Sequence, residues 1–200
     1  DDISWQYPSD ELTMYSRVVV EPGQEAVFIL EGRISQIFGP GTHTLSSGNI
    51  PFLKKIYSMA FGGRTPFPAE VTFLRKSQIH RKWGTAEPIR VEDQASGFIL
   101  LRAHGAYHVR ISDSRTFLQQ FPDSHACSGQ NLDRVFRSVI AGRLALVLAE
   151  AFTAGTVRAD APGSAIDDLS RLAAQRLQKD FTGYGIELID FLIESIETVH

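Results

Sequence analysis

Cysteine is almost missing from these 200 residues: Cys127 stands alone. One thiol cannot close an internal disulfide, and it leaves no zinc site made of several thiolates, so the expected compartment is reducing and cytoplasm-like. An excess of either charge is lacking as well. With 20 Lys and Arg against 23 Asp and Glu the net charge is -3, so there is no global positive field to hold a phosphate backbone, and nucleic acid is not an expected partner. No stretch approaches the roughly 20 apolar residues that cross a bilayer. The richest run, Leu144-Ala145-Leu146-Val147-Leu148-Ala149, lies inside an amphipathic pattern. No internal repeat is visible. The start at Asp1 rather than Met reads as a piece of something longer, and any membrane anchor is expected outside it.

What is present is ordinary globular material, 43% apolar and 22% charged, which argues against disorder and low complexity. A chain of this length buries about 70% of its unfolded surface, so a core needs no metal or disulfide. Residues 1–12, with Trp5, Tyr7 and Pro8, carry no period and read as an irregular lead-in. From 13 to 112 the chain reads as β-rich. Val18 to Val20, Ala26 to Leu30 and Ile34 to Phe38 are short β-branched and aromatic runs separated by Pro22-Gly23, Glu31-Gly32 and Gly39-Pro40-Gly41, which predicts an antiparallel meander. Glu31-Gly32 suits a tight hairpin and Pro40-Gly41 a type II turn. Residues 46–68 read as a long Gly/Pro/Ser excursion. Strands resume at Ala69 to Arg75 and near Ile89 to Glu92. The strongest alternation runs from Phe98 to Ile111, with Ile99, Leu101, Ala103, Tyr107, Val109 and Ile111 on one face and Arg102, His104, His108 and Arg110 on the other.

From 113 to 200 the pattern is helical with a closing strand. Asp113 to Phe121 predicts a short helix, and apolar residues recurring at three- and four-residue steps from Leu132 to Ala151 predict a long one. Ser164 is the expected cap of a third, with Arg176 and Lys179 near its negative end and Gly183 and Gly185 stopping it. Ile186 to Ile196 then returns as a strand. The order of elements describes an α+β domain with helices segregated against a sheet.

In this order the pieces resemble the SPFH (stomatin, prohibitin, flotillin; band 7) superfamily from about Val18 to Ile196. Val20-Glu21-Pro22-Gly23-Gln24-Glu25-Ala26-Val27-Phe28 is similar to its opening strand–turn–strand. Gly39-Pro40-Gly41-Thr42-His43-Thr44-Leu45 is similar to its GPG turn, and Tyr184-Gly185-Ile186-Glu187-Leu188-Ile189-Asp190 to its helix-to-strand junction. Phe61-Gly62-Gly63-Arg64-Thr65-Pro66-Phe67, Lys82-Trp83-Gly84-Thr85 and Leu101 to Tyr107 resemble a bacterial branch called virion core protein-like. The resemblance implies an SPFH/band 7-like fold and a scaffold without catalytic residues or cofactors. It further implies that the scaffold lies against the cytoplasmic face of the cell membrane, assembles with itself, and organises membrane proteins. The glycine–proline corners and the glycine-led return strand are expected in one sheet covered by the paired helices.

Searching for chemistry yields little. His104 and His108 lie about 13 Å apart along a strand, too far for one metal ion. With Arg102 and Arg110 they form instead a candidate assembly surface. Cys127 sits near His125, but catalytic pairs usually come from separate elements and no cysteine-protease signature surrounds it. Glu187, Asp190 and Glu194 read as an acidic strand edge. Phe52, Leu53, Lys54, Lys55 and Phe61 place aromatic and aliphatic side chains beside two lysines, a candidate contact to a membrane interface or a partner groove. The competing reading has those aromatics capping the core. A soluble adaptor or chaperone-like binding domain, and a hydrolase using Cys127, are the rival functions.

Overall fold

The computed structural model describes residues 3–7, 16–46, 69–93, 97–122, 129–158 and 161–199. The chain divides into two compact units, Asp1–Ser77 with Asp113–Gly129, and Gln78–Ser112 with Gln130–His200. In the first, Glu31 (φ 51°) and Gly32 (φ 70°) both take positive φ, the geometry whose twist matches flanking strands. They close a hairpin of β3 (Gln24–Leu30) and β4 (Arg33–Phe38). β6 (Ala69–Arg75) extends it on the β3 side, and β1 (Ser4–Gln6) adds to β6, giving the order β1-β6-β3-β4. β1 is thus a short strand inside the stretch read as irregular.

The expected meander holds only for β3 and β4. β2 (Arg17–Val20) pairs instead with β5 (Gly41–Thr44) in a separate two-stranded ladder. Gly41, at φ +131°, starts β5 rather than sitting at the φ near +80° of a type II turn. The corner is held by its own residues: His43 Nε2 donates to the Gly39 carbonyl at 2.7 Å, and its ring lies 4.9 Å from that of Phe38. Val18, Val20, Phe28, Leu30, Phe38, Leu45 and Val71 form one buried cluster drawn from both ladders. α1 (Ser114–Gln120) is capped by Asp113, whose carboxylate accepts from the backbone of Arg115 and Thr116 and from the Thr116 hydroxyl at 2.6 Å. Those hydrogen bonds, the Thr116 hydroxyl first, hold its carboxyl below the ordinary aspartate range. Ser114 is buried, donates to Glu25 and accepts from Lys76 at 3.1 Å, so one polar knot ties α1 to β3 and the end of β6.

The second unit is organised by β9 (Gly97–Ile111), 15 residues long. Its length lets β7 (Ile79–Gly84) pair along its later half and β8 (Ile89–Asp93) along its earlier half, with β10 (Ile186–Val199) on the opposite side. Every odd position of β9 from Leu101 to Ile111 is buried. α2 (Gly129–Thr153) buries Leu132, Phe136, Ile140, Leu144, Val147 and Leu148 along one stripe. It ends at Gly155 (φ +68°), where the Thr156 amide donates to the Ala151 carbonyl and the Gly155 amide to Phe152, a Schellman closure. α3 (Ile166–Gly183) begins after a 3₁₀ turn, Pro162–Ala165, that absorbs Ser164; Ala165 holds the cap position without a side-chain bond. Arg176 does not serve the end of α3 either, since it pairs with Glu150 of α2. Gly185 (φ +73°), rather than Gly183, makes the exit from the helix, and its carbonyl accepts from the Ser112 amide at 3.0 Å, setting β10 beside the end of β9.

The corners and the return strand therefore do not share a sheet. β10 belongs to the β9 sheet, whereas the glycine–proline corners belong to the ladders of the first unit. Alternation fixes which face of a strand is buried but not which strand it joins, and a 15-residue β9 offers a longer partner than any strand of the first unit.

Candidate functional site

The even positions of β9 form the outer face of the second sheet, and this is where the structure collects Arg102, His104, His108 and Arg110. Arg102, His104 and Arg110 are exposed and His108 half-buried. Across the ladder the residues opposite them on β10 are Glu197, Ser195, Asp190 and Glu187. Arg110 Nε donates to Glu187 Oε2 at 2.6 Å, and His108 Nδ1 meets Asp190 Oδ1 at 2.6 Å. On the other side β7 places His80 opposite His108, their rings 4.7 Å apart, and Lys82 opposite Ala106. The acids read as a strand edge and the bases read as a stripe are therefore two neighbouring columns of one face.

Three buried residues hold those columns in register. β10 shifts register between Leu188 and Asp190 and again between Ile193 and Ser195, and each bulge interrupts the ladder. The Ile193 amide is met by the Ser170 hydroxyl of α3 at 2.9 Å, and Ser170 is 6% exposed. Gly105 lies beneath the second bulge, where a Cβ would stand 2.0 Å from the Leu192 carbonyl oxygen and 3.1 Å from the Glu194 nitrogen. Trp83 of β7, opposite Gly105, stacks on Phe191 of β10 at 5.0 Å and donates its indole N–H to the Leu192 carbonyl at 3.1 Å. An indole can cross the central strand to reach β10 there because the central strand has no side chain at that point.

Beneath the sheet, Arg81 Nε is 3.6 Å from Asp133 Oδ1 of α2, an ion pair beyond hydrogen-bond length. Neither Arg81 Nη2 nor that oxygen has a hydrogen-bond partner in the protein. Tyr107, packed on Phe181 at 5.9 Å, has its phenol pushed up first by burial and then by the Asp133 carboxylate, so it stays protonated at neutral pH. Among the described residues no group of three or more His, Cys, Asp or Glu is placed to hold a metal ion. The first unit carries a groove of about 490 Å³ whose ionisable lining is Glu21 and Arg75, and a second of about 550 Å³ with Arg33, Glu70 and Arg115. Cys127 and His125 lie outside the described residues, as do Phe52, Leu53, Lys54, Lys55 and Phe61.

Residues 4–199 match the sequence profile of the SPFH domain-Band 7 family. The chain belongs to that family. A curated relative, the uncharacterized protein YdjI of Bacillus subtilis (strain 168), is 30% identical over 115 residues, which is 56% of this chain and 36% of that protein. The matched region thus spans about a third of the relative's length. SPFH proteins are generally membrane-associated scaffolds and typically not enzymes. Among the described residues of this SPFH domain no helix is long and apolar enough to cross a membrane.

The sequence missed Trp83, Gly105 and Ser170 as the residues that position the face. Trp83 has a signal in the Lys82-Trp83-Gly84-Thr85 motif, but Arg81 at an inward position breaks the apolar alternation that would mark β7 as a strand. Ser170 carries no local signal, since the amide it satisfies is 23 residues away.

Proposed function

We propose that this SPFH domain is a peripheral, non-catalytic scaffold that associates with itself and with the inner face of the cell membrane, where it organises membrane proteins. Family membership over residues 4–199 carries the reading. The outer face of the β9 sheet supports it: Arg102, His104, His108 and Arg110 are spread along one strand face, His108 and Arg110 paired laterally to Asp190 and Glu187, an arrangement suited to a broad polar contact rather than to a reaction centre. The membrane contact is assigned to Phe52, Leu53, Lys54, Lys55 and Phe61, whose composition pairs interfacial aromatics with cations. Placement in the virion core protein-like branch belongs to the same proposal and rests on the motifs around Phe61, Trp83 and Leu101.

Cosedimentation with vesicles containing anionic lipid tests the membrane contact. The chain is expected to pellet with vesicles, and F52S/L53S/F61S to remain in the supernatant while keeping its circular dichroism spectrum. A folded triple variant that pellets as well as the parent removes the assignment. A chain that neither pellets nor self-associates, yet retains a protein partner, would be the soluble adaptor instead. Turnover abolished by Cys127→Ala would turn the reading to a hydrolase.

A further inference from the structure

We infer that copies of this chain dock head to tail through the second unit, the acidic β10 flank of one copy lying against the basic β7 flank of the next. The inference rests on the self-association reading and adds the surfaces and the direction of assembly. β10 carries four carboxylates and no cation, whereas neither β7 nor β9 carries a carboxylate. The order β10-β9-β7 puts the two signs on opposite sides of the sheet along the later half of β9, where β7 pairs; β8, beside the earlier half, carries Arg90, Glu92 and Asp93 and is of mixed sign. Arg110 and His108 already answer Glu187 and Asp190 within the chain. Exposed charges outside those two pairs include Glu194 and Glu197 on β10, the latter opposite Arg102 of β9, and Lys82 on β7, where the exposed His80 imidazole lies two residues away on the same strand. An edge of one sign is complementary to the other edge and repels a copy of itself.

Two further features decide the mode of contact. Ile189 and Leu192 stand 41% and 50% exposed among the β10 acids, large apolar groups ringed by charge, which is the composition of an interface centre and its rim. The register shifts at Leu188/Asp190 and Ile193/Ser195 spoil β10 as a template for backbone pairing, a common way of blunting a strand edge. Side chains, not a continued ladder, therefore join the copies. Contact between unlike surfaces does not close on itself in a pair; it propagates as a ring or a filament.

Sedimentation velocity over a wide concentration range tests this on Glu194→Lys, Lys82→Glu and their equimolar mixture, with circular dichroism verifying that each folds. The parent is expected to assemble with rising concentration, and less so as salt shortens the Debye length from about 10 Å at 0.1 M to about 3 Å at 1 M. Each variant alone should associate about tenfold or more weakly, because like charges then meet. The mixture should recover assembly, because the reversed β10 flank of the Glu194→Lys variant meets the reversed β7 flank of the Lys82→Glu variant, and the unreversed Glu194 and Lys82 flanks meet each other. Assembly by the parent that neither substitution weakens overturns the docking mode and leaves self-association standing. Weakening by each variant without recovery in the mixture overturns the head-to-tail pairing. A parent that stays monomeric at every concentration overturns the self-association reading itself, and this inference with it.

Discussion

The first unit is held at its corners, the second at its middle. In the first, the contacts that set the turns are local: Glu31-Gly32 turns β3 into β4, His43 bonds back four residues to Gly39, and Asp113 accepts from the amides of Arg115 and Thr116. In the second, they join distant parts of the chain. Trp83 reaches Leu192 across 109 positions, and Ser170 serves an amide in the centre of a 14-residue strand. A turn is fixed by the φ that a few residues accept, so it tolerates change nearby. A bulge in mid-strand is fixed by whatever fills or satisfies it, so one methyl group or one hydroxyl decides whether the strand can hold its register.

Substitutions that separate these two kinds of constraint should rank accordingly. The largest effect is expected from Gly105→Ala, whose new Cβ meets backbone atoms that cannot rotate away. A loss of about 3 kcal/mol or more, or outright failure to fold, would follow. With Trp5→Phe as background, Trp83 becomes the one tryptophan left, and its emission during urea unfolding reads the second unit. An unchanged midpoint would contradict the close approach at the bulge. Next comes Ser170→Ala, which leaves the Ile193 amide buried without a partner and should cost about 1–3 kcal/mol, while Ser170→Thr keeps a hydroxyl and loses less. Hydrogen exchange at Ile193 is the sharper readout, and protection that survives the alanine would show that another group takes over.

In the first unit Gly32→Ala meets nothing within 4 Å, so it pays only for positive φ, about 1–2 kcal/mol. Amide exchange in β3 and β4 should report that loss without a change at β10. The smallest effect is expected from Asp113→Ala, about 1 kcal/mol, reduced because the carboxylate is largely exposed. Its sign in pH is fixed: the folded-state pKa lies below the unfolded one, so the stabilisation is complete above about pH 3.9 and disappears as pH falls through the lowered folded value. Acid titration of α1 exchange protection should show that loss in the parent and not in the alanine variant. An identical acid profile in both would remove Asp113 from the account.

Particular residues show how far the sequence carried. The alternation from Phe98 to Ile111 located β9 and its two faces, because a half-buried strand writes its burial at period two. The apolar stripe of α2 and the Glu31-Gly32 hairpin were legible for the same reason: the signal is local. Ser164 misled, since a serine before an apolar run is a capping signal whether or not the turn that follows takes it up. β5, Gly41-Thr42-His43-Thr44, has no apolar period, and only its ladder with β2 makes it a strand.

By itself the sequence determined the longer periodic strands and the helices, which faces they bury, several of the turns, and the family these add up to, but not β1, β5 or β7. Only the tertiary structure decided that β2 leaves its hairpin neighbours for β5, that the return strand joins β9 rather than the early corners, and that β10's acids line up beside β9's bases. Burial and turning are recorded in the spacing of neighbouring residues. The choice of a strand partner, and the satisfaction of a group exposed by a bulge, depend on atoms brought together from opposite ends of the chain, and no local pattern encodes them.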